Sequence, residues 1–398
     1  MKRATLTAAF LALALGWAGP LRAQYAGAHI ERTSYYGDNN LEEYYQAHRT
    51  MRQLSDSTVA LFNGRLLNFD SASGEYTLAV RTLQDKYNLR PGETYGGEPV
   101  GSYCSGVLVG DDLVLTAGHC FTPYEGGGPC DKVKFVFGYA MTAQGTPRTS
   151  FPASEVYGCK QIIKQRVMDA PGKFGRGHNF TCVGGSCTQG LPGADGPDYA
   201  LIRLDRKVTG HYPLPISRTP ITAGTKVGVI GYPSGMPVKI QETGASVRRV
   251  DGNGYFVTDL DTFRGNSGSP VFNLSTFKIE GIIVRGGDDY LYNPRYSTST
   301  VVADPQSPEF YSPGRANYYA QDGGRGEDAT LCGEFQALIP RNRLEDMFDK
   351  AALLRSRRSR PAAAPVPAVY TPGGEGVPQV QPAVYYAPEP SAPAPVRI

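Results

Sequence analysis

Tryptophan, histidine and net charge are all scarce in this chain. Its 398 residues include one tryptophan, Trp17, and five histidines, and 40 basic against 37 acidic residues give a formal charge of +3. A nearly balanced charge, without a basic stripe interleaved with aromatic residues, lacks the electrostatic footprint of a nucleic-acid-binding protein. We therefore expect no nucleic-acid partner.

Long apolar runs are also missing after the N-terminus. Two basic residues precede one apolar run, 6–18, which is too short to span a bilayer, and small residues follow it. This pattern predicts a signal peptide at 1–23, cleaved after Ala23 or after Ala28, with an uncleaved anchor as the alternative. No later stretch is long and apolar enough to cross a membrane. We therefore predict a secreted or periplasmic protein without stable membrane insertion.

The rest of the chain divides into three parts by composition. Residues 24–55 are rich in tyrosine and charge and are interpreted as an N-terminal extension or propeptide. In residues 56–355, short apolar and β-branched runs alternate with glycine, asparagine and proline, which is the pattern of strands and turns. Residues 356–398 are rich in proline and alanine, which predicts a disordered, flexible tail that builds no core. Contact of this tail with the cell envelope is an open alternative.

Short strands dominate the middle part and, without a long helix, indicate antiparallel β-barrels. Residues 105–109 and 113–115 flank a tight Gly-Asp-Asp turn and predict a hairpin. Residues 140–195 are predicted to be a long insertion with one short strand at 161–163. Apolar residues at helical spacing over 344–351 predict a C-terminal helix with an apolar face. Further strands are predicted at 58–62, 76–80, 132–137, 199–204, 226–231, 254–257 and 279–285.

The segment 264–270, Arg-Gly-Asn-Ser-Gly-Ser-Pro, places a serine between glycines directly before an apolar run. Gly265 permits a sharp turn, after which the N–H groups of Gly265 and Ser267 can converge on one small volume. Two such donors form an oxyanion hole, whose loss costs on the order of 2.7–4 kcal/mol in enzymes that use one. Gly268 leaves room beside the Ser267 hydroxyl. Taken alone, the same composition is equally that of an ordinary turn.

Two other segments supply the groups that a serine nucleophile requires. Leu-Thr-Ala-Gly-His-Cys contains His119, and Asp-Tyr-Ala-Leu-Ile begins with Asp198. A serine hydroxyl needs a histidine to accept its proton, and that histidine needs a carboxylate to fix its tautomer. The order His119, Asp198, Ser267 is that of the double-barrel serine peptidases. These motifs resemble the trypsin and chymotrypsin family over about residues 56–350, and within it the bacterial branch that includes the glutamyl endopeptidases.

The resemblance implies an all-β, chymotrypsin-like fold of two antiparallel six-stranded barrels, with a C-terminal helix packed on the second barrel. It implies that Ser267 is the nucleophile, that His119 shuttles the proton and that Asp198 orients His119. The N–H groups of Gly265 and Ser267 would hold the oxyanion while a protein or peptide substrate passes through an acyl-enzyme intermediate. The resemblance implies neither a metal nor a cofactor.

The chain contains seven cysteines, which are expected to pair in an oxidising compartment. The resemblance implies a bridge between Cys104 and Cys120, worth roughly 3 kcal/mol in the chain-entropy model. Cys182 and Cys187 are close enough in sequence to staple a local loop. His178 beside them lacks the fourth ligand of a structural metal site, so a disulfide is the preferred interpretation. The remaining cysteines form one possible pair and one odd residue: Cys130 with Cys159, and Cys332.

The resemblance also places Asp261, six residues before the nucleophile, at the base of the primary substrate pocket. A buried carboxylate favours a cationic partner, so cleavage after arginine or lysine is one prediction. Alternatively, Arg264 or Arg285 neutralises Asp261 and leaves a pocket for a small or apolar side chain. The glutamyl branch has a histidine where this chain has Ile283, which argues against acidic specificity. The substrate-binding strand and pocket wall would contain three residues: Val284, Arg285 and Gly286.

The chain departs from the animal trypsin pattern at Asn266, where those enzymes have an aspartate that pairs with a freshly cut N-terminal amine. No Ile-Val-Gly-Gly-like start precedes the first strand. Activation through that pair is therefore not available, and the site is expected to form on folding. The competing hypothesis is a catalytically weak peptidase-like protein used for binding at the cell surface. Such proteins normally lose the serine or the histidine, and this chain keeps both.

Overall fold

A computed structural model describes residues 34–122, 129–168, 179–183, 186–189, 196–291 and 313–358. The predicted signal peptide and most of the predicted tail lie outside the described residues, as does His178. Within the described ranges, no helix is long and apolar enough to cross a bilayer. The chain divides into two compact units, Met1–Ala352 and Leu353–Ile398, and the candidate site belongs to the first.

Short strands joined by turns make up most of the described chain. The α-helices of the described ranges are α1 (Arg49–Ser55), α2 (Leu83–Tyr87) and α3 (Arg343–Arg358). The strands before residue 155 are β1 (Tyr35–Tyr36), β2 (Glu42–Glu43), β3 (Thr58–Asn63), β4 (Leu67–Asp70), β5 (Glu75–Leu78), β6 (Arg81–Thr82), β7 (Pro99–Val100), β8 (Cys104–Gly110), β9 (Leu113–Thr116), β10 (Val133–Phe137), β11 (Met141–Ala143), β12 (Thr146–Pro147) and β13 (Ser150–Pro152). The later strands are β14 (Val156–Met168), β15 (Asn179–Val183), β16 (Ser186–Gln189), β17 (Tyr199–Leu204), β18 (Val227–Gly231), β19 (Lys239–Gln241), β20 (Val247–Asp251), β21 (Tyr255–Thr258), β22 (Pro270–Asn273), β23 (Ile279–Arg285), β24 (Tyr290–Leu291), β25 (Arg315–Ala316), β26 (Tyr318–Tyr319) and β27 (Glu327–Leu331).

Six antiparallel strands close into a barrel in the first half of the chain. Their order is β10-β3-β8-β9-β17-β14, and β14 pairs again with β10 to complete the circle. The hairpin β15–β16 continues the sheet from β14 outward. β8 and β9 are buried along their whole lengths. Inward-facing side chains fill the barrel interior, and the outward-facing residues of these two strands are covered as well. Their pairing confirms the hairpin predicted over 105–115.

The predicted insertion over 140–195 is wrong in its most ordered part. β14 is 13 residues long and forms one wall of the barrel. Its register against β17 shifts twice, between Cys159 and Gln161 and between Ile162 and Lys164. Such bulges interrupt the alternation of inward and outward side chains, so the sequence of β14 shows no sustained period of two and only 161–163 was predicted as strand.

The second sheet contains eight strands in the order β2-β19-β18-β22-β23-β27-β21-β20. β19 and β20 are consecutive in the chain but lie far apart in this row, and an isolated bridge between Lys226 and Ser246 links the start of β18 to the start of β20. Because the described residues show only this one bridge between β18 and β20, the second sheet is a half-barrel where the sequence predicts a closed six-stranded barrel. The fold is all-β and chymotrypsin-like, as predicted, with one closed barrel and one half-barrel.

Residues 34–55, which the sequence assigns to an extension or propeptide, pack against the second sheet and the core. β1 pairs in parallel with β26, and β2 adds an edge strand beside β19. α1 buries Met51 and Leu54 in the main core. The packed structure therefore includes much of the segment that the sequence places outside it.

The predicted C-terminal helix is present as α3, and an ion pair that the sequence did not indicate helps to position it. The Glu345 carboxylate is fully buried and accepts from Arg218 at 2.5 Å (Nε) and 3.2 Å (Nη2). Arg218 also donates to the carbonyl oxygens of Gln336 and Ile339. Met347, expected on the buried face, is 50% exposed. The helix is thus attached to the loop before β18 by an ion pair whose carboxylate is buried.

The cysteines pair much as the sequence indicates. Cys182 is disulfide-bonded and lies opposite Cys187 in the β15–β16 pairing. Cys332 is the free cysteine of the described residues, and it is buried. Two bridges have defined geometry: Cys104–Cys120, with 6.2 Å between Cα atoms, and Cys130–Cys159, with 5.2 Å.

Candidate active site

A glycine and a disulfide fix the turn that carries His119. β9 leads directly into a 3-10 turn, Gly118–Phe121. A Cβ on Gly118 would lie 2.3 Å from the carbonyl oxygen of Arg166, so only glycine fits between this turn and β14. The bridge from Cys120 to β8 ties the next residue back to the barrel. His119 is consequently buried, with 4% exposure, in a fixed position.

Asp198 lies directly before β17, which pairs with β9, so strand register brings it to the His119 turn. Its Oδ2 lies 2.9 Å from His119 Nδ1. Its Oδ1 accepts the backbone N–H groups of Gly118 at 2.5 Å and His119 at 3.1 Å. A carboxylate in this position requires a proton on Nδ1 of a neutral imidazole, which leaves Nε2 as the acceptor. The pair can therefore act as an oriented general base.

The second sheet also holds Asp198, through Thr330 on β27. The Thr330 hydroxyl donates to the carbonyl oxygen of Asp198 at 2.9 Å and accepts the Asp198 N–H at 3.0 Å. Both residues are buried, so these bonds form out of contact with water. Thr330 was not a predicted site residue, because nothing in its local sequence distinguishes it from other strand threonines.

Residues 261–268, here called the serine loop, are joined to the first barrel mainly by Ser105. The Ser105 N–H donates to the carbonyl oxygen of Ser267 at 2.8 Å, and its hydroxyl donates to that of Gly265 at 2.7 Å. The Ser267 carbonyl oxygen also lies 3.7 Å from the sulfur of Cys120, next to His119. These contacts bring the backbone of Ser267 beside the histidine turn. Ser105 is a second site residue that the sequence motifs did not reveal.

Two glycines allow the serine loop to approach the barrel this closely. Gly268 has φ of +88°, and a Cβ there would lie 2.1 Å from the carbonyl oxygen of Ser105. Gly265 has φ of +101°, and a Cβ there would lie 2.5 Å from the carbonyl oxygen of Tyr232. Both positions therefore require glycine for conformation and for space. Ser267, between them, is partly exposed.

The peptide between Arg264 and Gly265 has the orientation that an oxyanion hole needs. The Arg264 carbonyl oxygen accepts the N–H of Ser234. Since C=O and N–H of a trans peptide point in opposite directions, the Gly265 N–H is directed away from the Ser234 turn. Within the described part of the chain, neither the Gly265 nor the Ser267 amide donates a hydrogen bond. Both donors are thus available to a ligand.

Asn266, in the place of the trypsin aspartate, makes contacts within the loop. Its N–H donates to the Phe263 carbonyl oxygen at 2.8 Å, and its Oδ1 accepts from the Ser269 hydroxyl at 3.0 Å. Its Nδ2 is buried without a hydrogen-bond partner among the described residues. These short-range bonds fit a loop that needs no charged N-terminal amine.

Asp261 is fully buried and binds the N-terminal segment. Its Oδ1 accepts the backbone N–H of Tyr36 at 2.7 Å, and its Oδ2 accepts that of Asn40 at 2.8 Å. Burial raises the pKa of Asp261 to about 7, although both N–H donors oppose that shift. Among the described residues Asp261 has no ion-pair partner, so backbone amides stabilise it where the sequence suggested an arginine. Its place at the base of an open pocket stays a prediction.

The three predicted wall residues are all buried. Val284 is 4% exposed and belongs to the main core. Arg285 donates to Asp328 at 3.1 Å and to the carbonyl oxygen of Gly196 at 3.0 Å, and its guanidinium lies 5.2 Å from the Tyr255 ring centre. Arg285 therefore binds β27 and the segment before Asp198. The third residue, Gly286, accepts from a guanidinium through its carbonyl oxygen at 3.4 Å.

One cluster of potential metal ligands lies at this site: Cys104, His119 and Cys120. The two sulfur atoms are bonded to each other, so neither is a thiolate that could bind an ion. The remaining histidine nitrogen is the one that the proton chemistry requires. The cluster is therefore not a metal site.

The middle of the chain matches a known family. Residues 104–282, less than half of the chain, match the trypsin-like peptidase domain, and this range contains His119, Asp198 and Ser267. A comparison with curated proteins finds no match.

Three solved structures are similar at low levels. Neuropsin, a serine protease expressed in the limbic system of mouse brain, is 15% identical, covers 72% of this chain and 94% of its own, and has a TM-score of 0.37. The VesB protease of Vibrio cholerae is 13% identical, with 71% and 63% covered and a TM-score of 0.35. Human heparin binding protein is 15% identical, with 82% and 99% covered and a TM-score of 0.35. At these scores the three structures carry no argument about this site.

Proposed function

We propose that this chain is a secreted or periplasmic serine endopeptidase that hydrolyses peptide bonds through His119, Asp198 and Ser267. The observation that carries the proposal is the contact of Asp198 with His119: one carboxylate oxygen bonds the imidazole and the other bonds the backbone of the same turn. An imidazole held at both points has one tautomer and one orientation. The trypsin-like domain match and the glycine-bounded Ser267 support the same assignment.

The proposed reaction has two halves. In the first, Ser267 Oγ attacks the substrate carbonyl carbon while its proton passes to His119 Nε2. The tetrahedral intermediate then collapses as His119 returns that proton to the leaving amine, which gives an acyl-enzyme and the first product. In the second half, water gives a proton to His119 and attacks the ester carbonyl carbon. The intermediate collapses as His119 returns that proton to Ser267 Oγ, which releases the carboxylic acid product and regenerates Ser267. Asp198 remains a carboxylate throughout and stabilises the imidazolium that forms in each half.

The backbone N–H groups of Gly265 and Ser267 would stabilise the negative charge that forms during the reaction. The negative charge of each tetrahedral intermediate develops on the former carbonyl oxygen. The N–H groups of Gly265 and Ser267 would donate to that oxygen, at a position already fixed by the loop glycines. Because the loop is held by Ser105 and by the Arg264–Ser234 bond, little reorganisation would be needed during the reaction.

Location and specificity follow from other residues. The disulfides of the described chain support an oxidising compartment, and the proposed export signal lies outside the described residues. Cleavage after arginine or lysine stays a prediction, and the two amide bonds to the Asp261 carboxylate are the observation against it. Protein or peptide substrates are proposed without a metal or cofactor.

The proposal is tested with purified protein and casein or a peptide ester. Ser267→Ala should abolish hydrolysis, with a loss of about 10⁶ in kcat, as in other triad enzymes that lose the serine. Ser275→Ala, in the exposed turn after β22, is the matched control and should behave like the wild type. Hydrolysis retained by Ser267→Ala would refute the mechanism. A wild-type protein that binds peptides without cleaving them would favour the binding-protein hypothesis.

A further inference from the structure

Residues 34–43, here called the N-terminal strap, pair with two different sheets. β1 joins Tyr35 to Tyr318 and Tyr36 to Tyr319 in a parallel pair. β2, at the other end, pairs with β19 in the sheet. The strap is therefore built into the strand pairing of the domain that carries the serine loop.

Backbone N–H groups of the strap bind the beginning of the serine loop. Tyr36 and Asn40 donate to the two oxygens of the Asp261 carboxylate, at 2.7 and 2.8 Å. In the other direction, Thr262 donates through its N–H to the Ser34 carbonyl oxygen at 3.3 Å. A carboxylate that accepts two amide bonds fixes both its own loop and the donor segment.

The strap also holds the segment that follows β23. The Ser34 hydroxyl donates to the Asp288 carbonyl oxygen at 2.5 Å. The Tyr36 hydroxyl donates to Glu327 at 3.0 Å, and the same carboxylate oxygen of Glu327 accepts from the N–H of Gly287 at 3.3 Å. One short segment thus connects the serine loop, the residues after β23 and the start of β27.

A chain of hydrogen bonds through Asn317 connects the strap to Arg264, the residue before the first oxyanion amide. Tyr35 donates to the Asn317 carbonyl oxygen at 3.2 Å, and Asn317 donates to that of Asp289 at 2.9 Å. The Asp289 carboxylate accepts the Arg264 N–H at 3.1 and 3.2 Å. Arg264 directly precedes Gly265, so this chain of hydrogen bonds ends beside the peptide whose N–H belongs to the proposed oxyanion hole.

The burial of the strap is that of a core element. Tyr35 is 2% exposed, Tyr36 is fully buried, and the Tyr35 ring lies edge-on against Phe263 of the serine loop at 4.8 Å. Glu43, the last strap residue, pairs at 2.9 Å with the fully buried Lys239. Removing the strap would expose aromatic surface and leave Lys239 with one carboxylate partner fewer, both of which are unfavourable.

The strap contacts the serine loop at its beginning, at Asp261, Thr262 and Phe263. In the described part of the chain, no hydrogen bond or ion pair connects residues 34–43 with His119, Asp198 or Ser267. An inhibitory propeptide would have to occupy the cleft or contact those groups. The contacts of the strap are therefore those of a structural support for the serine loop.

We propose that residues 34–43 are a permanent part of the mature enzyme and that they hold the serine loop in its active conformation through Asp261. Asp261 is then a positioning residue whose carboxylate anchors the strap, and it does not select substrates. This inference rests on the proposed function for its catalytic consequence. Of the two interpretations of residues 24–55, extension or propeptide, it favours an extension for residues 34–43, because any cleavage of an active form would precede Ser34.

Asp261→Asn is the direct test, and Asp259→Asn is the matched control. Asp259 is also a buried carboxylate, but it accepts the N–H of Ser246 and has no bond to the strap. Asparagine at 261 cannot accept both amide bonds. We expect kcat to fall about tenfold or more for arginine, lysine and apolar substrates alike, the scale of a lost hydrogen bond to a charged group, with little change in KM. Hydrogen exchange over residues 262–268 should accelerate in the same variant and not in the control.

A loss confined to arginine and lysine substrates, expressed in KM, would overturn the proposal and make Asp261 a specificity residue. Equal behaviour of Asp261→Asn and Asp259→Asn would overturn it as well. Hydrogen exchange separates this proposal from the proposed function: if the wild type hydrolyses nothing, the proposed function fails, and the exchange of 262–268 still tests the strap.

The wild-type protein supplies a second test that does not depend on a variant folding. The N-terminus of the purified active form is found by intact mass and N-terminal sequencing. We expect it at or before residue 34. An active form that begins after residue 43 would refute the proposal.

Discussion

The two halves of the candidate site are held by different means. His119 and Asp198 belong to the closed first barrel, where neighbouring strands and the Cys104–Cys120 bridge fix them. The serine loop belongs to the half-barrel sheet, where buried polar groups fix it, including a carboxylate bonded to a segment 225 residues away. The first half depends mainly on its own strands, with the Thr330 hydroxyl of the second sheet as an added support for Asp198, whereas the second half depends on a distant part of the chain.

If the first half acts as an oriented base, Asp198→Asn should have the largest effect on it. An asparagine amide favours the wrong tautomer of His119, which costs about 10⁴ in kcat in enzymes with this arrangement. We expect kcat on a peptide substrate to fall by about that factor with little change in KM. Asp205→Asn, whose carboxylate accepts the Gly158 N–H after the other end of β17, is the control. Similar kinetics for the two variants would show that Asp198 is only structural.

Alanine substitutions at two glycines with similar backbone conformation test the close contact between the serine loop and the first barrel. Gly268 and Gly92 have φ of +88° and +83°, but only at Gly268 would a Cβ meet another atom, the Ser105 carbonyl oxygen at 2.1 Å. Gly92→Ala should lower the free energy of unfolding by about 1–2 kcal/mol, the cost of the left-handed conformation, and keep activity.

Gly268→Ala carries the same conformational cost and must also push the serine loop away from the first barrel. We therefore expect a larger loss of stability in urea unfolding, together with loss of hydrolysis. Equal losses for the two alanine variants would mean that the close approach of the two halves does not matter.

The second half should also show its buried carboxyl groups in the pH dependence of stability. Burial raises the pKa of Asp261 to about 7 and that of Glu327 to about 8, from ordinary values of 3.8 and 4.5. The unfolded chain therefore releases these protons at lower pH than the folded chain does. Their contribution to stability is present below about pH 4 and is lost as pH rises to about 8.

Urea unfolding between pH 5 and pH 8 measures this contribution. Asp261→Asn and Glu327→Gln should each make the free energy of unfolding fall less steeply with pH than in the wild type, because one such proton is removed from the balance. A steeper fall in either variant would contradict the assignment. This is the smallest of the expected effects.

The contrast between contacts of neighbouring strands and contacts of distant segments also explains which features the sequence predicts well. The motifs around His119, Asp198 and Ser267 lie where strands meet turns, and strand register alone places Asp198 against the histidine turn. The hairpin β8–β9 and the first bridge follow from short-range patterns for the same reason. Neighbours in sequence or in adjacent strands leave a periodic signal, so these features were accessible without a structure.

Contacts between distant segments leave no such signal. The bulges of β14 hid a barrel strand inside a predicted insertion, and the buried Glu345, which pairs with Arg218, lies on a helix face that the apolar pattern did not indicate. Tyr35 and Tyr36 appeared to belong to an extension, since only tertiary pairing with Tyr318 and Tyr319 explains their burial. Thr330 and Ser105 support the site through single hydroxyl groups that no motif distinguishes.

The most direct test of the central claim is the covalent labelling of purified wild-type protein with an organofluorophosphonate, followed by peptide mapping. This reagent reports a serine that is activated by a neighbouring base and faces an oxyanion hole. We predict stoichiometric phosphonylation of Ser267 and none in the Asp198→Asn protein over the same time. Absence of label on the folded wild type, or label on a serine other than Ser267, would contradict the assignment of His119, Asp198 and Ser267 as one catalytic unit.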